Sequence, residues 1–169
     1  MAKKKFTKHE EQELRPQPHS SDAEKAILGC ILVNEEAFDV AAQYITAPET
    51  FYYDDHQLIW KVMCEMRKNH EPIDTVTVSS KFTGKESDKV SPYYLTGLYD
   101  SIPSASKSEH YARIVAEKYL QRRLINVTYE VQKSAYENTK EFDKLLDDVR
   151  RFTEELQELQ PHRRFNLKE

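Results

Sequence analysis

SKSEHYARIVAEKYLQRRLINVTYEVQKSAYENTKEFDKLLDDVRRFTEELQEL, residues 106–159, sets the architecture of this chain. Ser106 and Glu109 stand at capping-box spacing, so a helix is expected to begin there and to run without a breaker through Tyr136. Such a helix is about 45 Å long, too long for a small globular head to cover on all sides. Asn138 and Thr139 interrupt it, and Phe142, Leu145, Val149, Phe152, Leu156 and Leu159 then recur at alternating spacings of three and four. That alternation is a coiled-coil seam. The nearest partner is the preceding helix, whose Val115, Leu124, Ile125, Thr128, Val131 and Ala135 offer a stripe across a short turn. Residues 104–160 are therefore expected to form an antiparallel helical hairpin, with Phe142, Leu145, Val149, Phe152 and Leu156 as its seam and candidate assembly residues.

Upstream, residues 18–103 read as a small helical head. Ser21 and Glu24 have capping-box spacing, and Ala23, Ile27, Cys30 and Ile31, widened by Leu28 and Leu32, give a broad apolar stripe. Gly29 costs this helix roughly 1 kcal/mol relative to alanine, so it is either tolerated or a point of close backbone contact. Asn34 is placed to cap a second helix carrying Ala37, Phe38, Ala41, Tyr44 and Ile45, and Asp54 or Asp55 a third carrying Leu58, Ile59, Val62, Met63 and Met66. The valine–threonine alternation of residues 73–82 would suit a strand, but no second strand is visible to pair with it, and a short helix capped by Asp74 is preferred. Residues 83–92 read as a loop, and Ser91-Pro92 opens a further helix with Tyr94, Leu95 and Leu98. The fold class is all-α: a small multi-helix head followed by a long antiparallel helical hairpin. Residues 1–17, charged and aperiodic with Lys3, Lys4, Lys5 and Lys8 bunched, read as a disordered tail, and residues 161–169 as the start of an interdomain linker.

Composition narrows the function classes. With 169 residues and 32% charged side chains, the chain suits one core with long solvated helices. A net charge of −4 supplies no basic field, so strong direct nucleic-acid binding is not expected. No apolar run is long enough to span a bilayer and no signal-peptide pattern opens the chain, so a cytoplasmic protein with no membrane partner is expected. Cys30 and Cys64 sit in apolar helical patterns as small hydrophobes.

Few residues carry chemistry. Gly29, Gly84 and Gly97 stand in no phosphate-binding pattern, which disfavours ATP hydrolysis by this chain alone, and neither Glu-x-x-His pairs nor clustered zinc ligands occur. No cofactor or metal is expected in it. Asp54, Asp55 and His56 could serve acid–base chemistry, but acidic residues at a helix start are more often caps. Arg122-Arg123 and Arg150-Arg151 are more simply a solvated face paired with Glu117, Asp147 and Asp148. Tyr119, Arg122, Arg123 and Tyr129 form a candidate partner surface, because aromatic and arginine side chains anchor many interfaces.

The ordered succession of motifs resembles the N-terminal domain of the DnaB-type bacterial or phage replicative DNA helicases. The family's opening stretch matches Pro18, His19, Ala23, Glu24, Leu28 and Gly29, its Phe-Tyr segment Phe51 and Tyr52, and its following helix His56 and Ile59. PIDTVTV, YYLTGLYDSIPSA and HYARIVAEKYLQRRLI follow in the family's order and spacing. The resemblance implies a head-plus-hairpin domain in which Gly29 is a packing residue. It further implies a hexamer's N-terminal collar, with self-association as a dimer or ring, docking of the primase C-terminal domain and, in some systems, a helicase loader. ATP and Mg would serve a RecA-like motor that this sequence does not include. A stand-alone phage or plasmid protein that mimics the domain and modulates a host helicase is the alternative.

Overall fold

The computed structural model describes residues 16–102, 105–137 and 141–159; the expected disordered tail up to residue 15, the break at Asn138-Thr139 and the linker at 161–169 lie outside the described residues. Everything regular among the described residues is helical. The first helix, α1 (Ser21–Val33), is buried along nearly its whole length, from Ala23 through Ile27, Leu28, Cys30 and Ile31 to Leu32. It is the axis of the head, and burying each of its larger side chains contributes about 1.5–3 kcal/mol. Its cap is Ser20 and not the expected Ser21: Ser20 Oγ accepts from Ala23 N at 3.3 Å, which leaves Glu24 free to point inward.

The other elements of the head close around that axis. These are α2 (Ala37–Ala41), a 3-10 turn at Pro48–Thr50, α3 (Asp54–Lys68), α4 (Thr75–Lys81), α5 (Lys85–Lys89) and α6 (Pro92–Asp100). Asn34 Oδ1 accepts from Glu36 N just before α2. The expected side-chain cap of α3 is absent, because Tyr53 is its N-cap residue and Asp54 and Asp55 fall in its first turn. The 73–82 segment is helical as expected, with Asp74 Oδ1 accepting from Val76 N (2.8 Å) and Thr77 N (2.9 Å) while Thr77 Oγ1 caps back. The expected loop at 83–92 contains α5, which the chain enters through Gly84 at a φ of 57°. Ser91 Oγ caps α6 as its sequence indicates. Trp60, packed against Phe38 with ring centroids 4.9 Å apart and against Phe51 at 5.7 Å, fills the centre between α1, α2 and α3.

Gly29 is a point of close contact: a Cβ there would run into the Leu98 carbonyl of α6 and lie 2.5 Å from Ile102 Cγ1. Glycine therefore sets the distance between α1 and the end of α6. Cys30 and Cys64 form no disulfide, and burial pushes the Cys30 thiol up to about 11, as suits an inert core residue.

The long helix α7 (Ser108–Tyr136) has two halves with different work. Up to Arg122 it completes the head, burying Ala112, Val115 and Ala116 against α1 and α2. Beyond Arg122 none of its residues is buried, and it leaves the head to pair with α8 (Phe142–Leu159). Lys107, not Ser106, is the N-cap residue of α7, and the Glu109 carboxylate accepts from Tyr44 Oη at 2.7 Å.

Candidate functional site

Two constructions stand out, one buried and one exposed. The buried one begins with Glu24, which is 1% exposed, like His56. A carboxylate that deep must find donors. Glu24 Oε1 accepts from Tyr52 N (2.9 Å) and Oε2 from Tyr53 N (3.4 Å), so α1 holds the turn that leads into α3. His56 Nδ1 lies 2.7 Å from Glu24 Oε2 and its Nε2 2.7 Å from Tyr94 Oη, tying α1, α3 and α6 into one chain of polar contacts. Burial, with the Asp55 carboxylate close by, pushes the Tyr94 phenol above its ordinary value and keeps its proton on. Both ring nitrogens of His56 are engaged and the ring is out of solvent, so the imidazole is not an accessible acid–base group, while its neighbour Asp54 is exposed in the first turn of α3.

Arg122 forms the other half of this knot. Nη1 donates to Pro18 O (2.9 Å), and Nη2 to Thr50 O (2.7 Å) and Glu49 O (3.3 Å). Its guanidinium also lies 5.6 Å from the Tyr52 ring centre and 5.7 Å from that of Tyr119, while His19 stacks on Tyr52 at 4.2 Å. The chain upstream of α1, the 48–50 turn and α7 are thus bolted together at the point where the hairpin leaves the head. The planar fork of arginine suits this task, and burial lowers its pKa from the ordinary value without threatening its charge.

The exposed construction is on the hairpin. Leu145, Asp148, Phe152 and Glu155 of α8 face Val127, Glu130, Val131 and Ser134 of α7 across a groove of about 230 Å³, and Arg123 pairs with Glu155. This inner face differs from the expected α7 stripe, because Leu124, Ile125, Thr128 and Ala135 are exposed and Val115 is buried in the head. Spacing alone could not choose among adjacent stripes. Alongside the inner face, α8 carries Phe142 (72% exposed), Leu146 and Val149 (40% each) and Thr153, at i, i+4, i+7 and i+11. On α7 the corresponding set is Leu124, Thr128 and Ala135. At about 100° per residue each set sits roughly a quarter turn from its own inner face, in the same rotational sense. Because the helices are antiparallel, both sets lie on one side of the hairpin. The Thr128 and Thr153 hydroxyls donate back to the carbonyls of Leu124 and Val149 (2.8 and 2.9 Å), so their polar groups are satisfied within their own helices. The product is an exposed apolar stripe on each helix, both on one side of the hairpin.

The sequence candidates fall on both constructions. Phe152 (9% exposed), Leu145 and half-buried Leu156 are turned inward, whereas Phe142 and Val149 are on the outward side. Arg122 is enclosed, Tyr119 packs beside it, Arg123 bonds across the hairpin and Tyr129 is exposed. Arg150 and Arg151 pair with Asp147 and Asp148 within α8. Leu146 was missed, though its spacing from Phe142 and Val149 could have shown the second stripe. Glu24 is not the capping-box residue that its spacing from Ser21 indicates, because its partners Tyr52, Tyr53 and His56 lie about 30 residues away in sequence. Among the described residues no helix is long and apolar enough to cross a membrane, and no cluster of histidine, cysteine or carboxylate groups could hold a metal ion.

Comparison with known proteins places these features. Residues 16–117 match the family model of the DnaB-like helicase N-terminal domain. The replicative DNA helicase DnaB of Geobacillus stearothermophilus is 38% identical over 136 residues, which cover 79% of this chain and 30% of that helicase. The crystal structure of the N-terminal domain of DnaB helicase from Mycobacterium tuberculosis superposes with a TM-score of 0.72 at 26% identity, covering 83% of this chain and 99% of that domain. A DnaB-like replicative helicase, solved together with its interactions with primase, shares the fold at a TM-score of 0.65 and 21% identity, over 79% of this chain and 31% of that one. The chain thus spans about 30% of the length of the helicase relative it matches.

Proposed function

Because the chain belongs to the family of DnaB-like helicase N-terminal domains, we propose that it works as the collar domain of a hexameric replicative helicase in DNA replication, joining subunits and docking primase. The uncovered apolar face of the hairpin carries this reading. A face of Leu124, Phe142, Leu146 and Val149 in water is unfavourable unless another surface covers it, and a second copy supplies a matching one by two-fold symmetry. The knot around Arg122 gives the face its use, since it fixes the hairpin to the head and so fixes how two joined copies are oriented.

Primase, through its C-terminal domain, is the proposed docking partner, supported by the fold shared with a helicase solved for its interactions with primase. Tyr129, with Arg123 at the base of the hairpin and Tyr119 just before it on the head, remains the proposed contact surface, and a helicase loader is a further proposed partner in some systems. ATP and Mg would act in a motor segment beyond this chain's matched region, and the whole would work in the cytoplasm. Titrating the chain with the cognate primase C-terminal domain in a calorimeter tests the docking half: saturable binding weakened by Tyr129→Ala is expected. An absence of heat and of any co-migrating complex would refute it.

A further inference from the structure

Two contacts set the path of the chain upstream of α1. The Pro18 carbonyl accepts from Arg122 Nη1 (2.9 Å), and one residue earlier Gln17 Nε2 donates to Asn126 Oδ1 (3.2 Å). Arg122 and Asn126 are one turn apart on one stripe of α7, and the next residue of that stripe, Glu130, lines the groove between α7 and α8. Followed towards its N-terminus, the chain therefore climbs from the head onto the hairpin and at Gln17 stands one turn of α7 short of Glu130. The groove has a definite chemistry. Val127, Val131, Leu145 and Phe152 give it apolar walls, and Glu130, Asp148 and Glu155 line it with carboxylates, beside one lining cation, Arg151. Arg151 pairs with Asp148 and Arg123 with Glu155, whereas exposed Glu130 has no ion pair among the described residues.

An occupant that combines cationic and apolar groups fits such a groove, and the chain carries one on the path just traced. Residues 1–15, MAKKKFTKHEEQELR, bunch Lys3, Lys4, Lys5 and Lys8 around Phe6. Extended, these fifteen residues reach up to about 50 Å, against about 12 Å along α7 from Asn126 to Ser134. We propose that the groove between α7 and α8 is a docking site for this chain's own N-terminal segment, with Phe6 on the apolar walls and the lysines on Glu130, Asp148 and Glu155. Lysine stems lie along apolar surface while their ammonium groups reach out to carboxylates. A segment too polar to build a core orders on a surface that supplies one, and in doing so it covers the inner face of the hairpin.

Zero-length carbodiimide cross-linking of the full chain, mixed with an equal amount of its ¹⁵N-labelled copy and read by peptide mass spectrometry, tests this. Lys3, Lys4, Lys5 and Lys8 are expected to link to Glu130, Asp148 and Glu155 in preference to the exposed carboxylates of the head, and to do so within single chains. Hydrogen exchange supplies the second readout. In a variant combining Lys3→Glu, Lys4→Glu and Lys5→Glu, the amides of 127–134 and 145–155 are expected to exchange about threefold faster or more, with those of α1 and α3 unchanged. Links spread evenly over exposed carboxylates, or links from Lys168 in place of the N-terminal lysines, would overturn the proposal. So would links that join labelled to unlabelled copies, or exchange that the charge reversal leaves unchanged.

Discussion

At the scale of single residues, buried contacts decide what can be changed. Arg122→Gln removes the charge and the fork that satisfy the Pro18, Glu49 and Thr50 carbonyls and is expected to cost roughly 3 kcal/mol in urea denaturation. Gly29→Ala should destabilise by about 1–3 kcal/mol despite alanine's better helix propensity, because the Leu98 carbonyl belongs to the backbone and cannot swing aside; equal or higher stability would refute the close contact. Asp74 gives a pH effect of known sign. Backbone donation from Thr77, then from Val76, holds its carboxyl below the ordinary value, so its stabilisation is complete above the unfolded pKa of about 3.9 and fades as pH falls through the folded one. Asp74→Ala should cost about 1 kcal/mol at neutral pH and markedly less near pH 2.

At the scale of elements, the chain's own patterning reveals the local parts and conceals the long-range ones. The extent of α7 and α8, the Asp74 cap and the Ser91-Pro92 start follow from side chains within four residues of one another, and the structure contains them. The roles of Glu24, His56 and Arg122 depend on partners from 28 to 104 residues away, which periodicity cannot identify. The heptad of α8 is a middle case: its apolar positions were legible, but they divide into an inward and an outward stripe, and spacing does not say which neighbour covers which. The two stripes respond differently to substitution. Phe152→Asp buries an unpaired carboxylate between α7 and α8 and should loosen the hairpin by roughly 3 kcal/mol, seen as lost helical circular dichroism. Unchanged ellipticity and thermal stability would contradict the inward placement of that ring.

At the scale of the whole molecule, the head is a closed core and the hairpin an open one. A polar knot of Glu24, His56, Tyr94 and Arg122 holds the head's helices and sets the direction in which α7 departs, while Leu124, Phe142, Leu146 and Val149 stay exposed on the hairpin. In the proposed collar role the head would supply orientation and the hairpin association. Sedimentation equilibrium of the chain beside its Leu146→Asp variant, over a wide concentration series, tests that division most directly. A rise from monomer to dimer mass in the parent chain, with the variant monomeric and its head equally stable, is the expected result. A parent that stays monomeric throughout, or a variant that associates equally well, would contradict it.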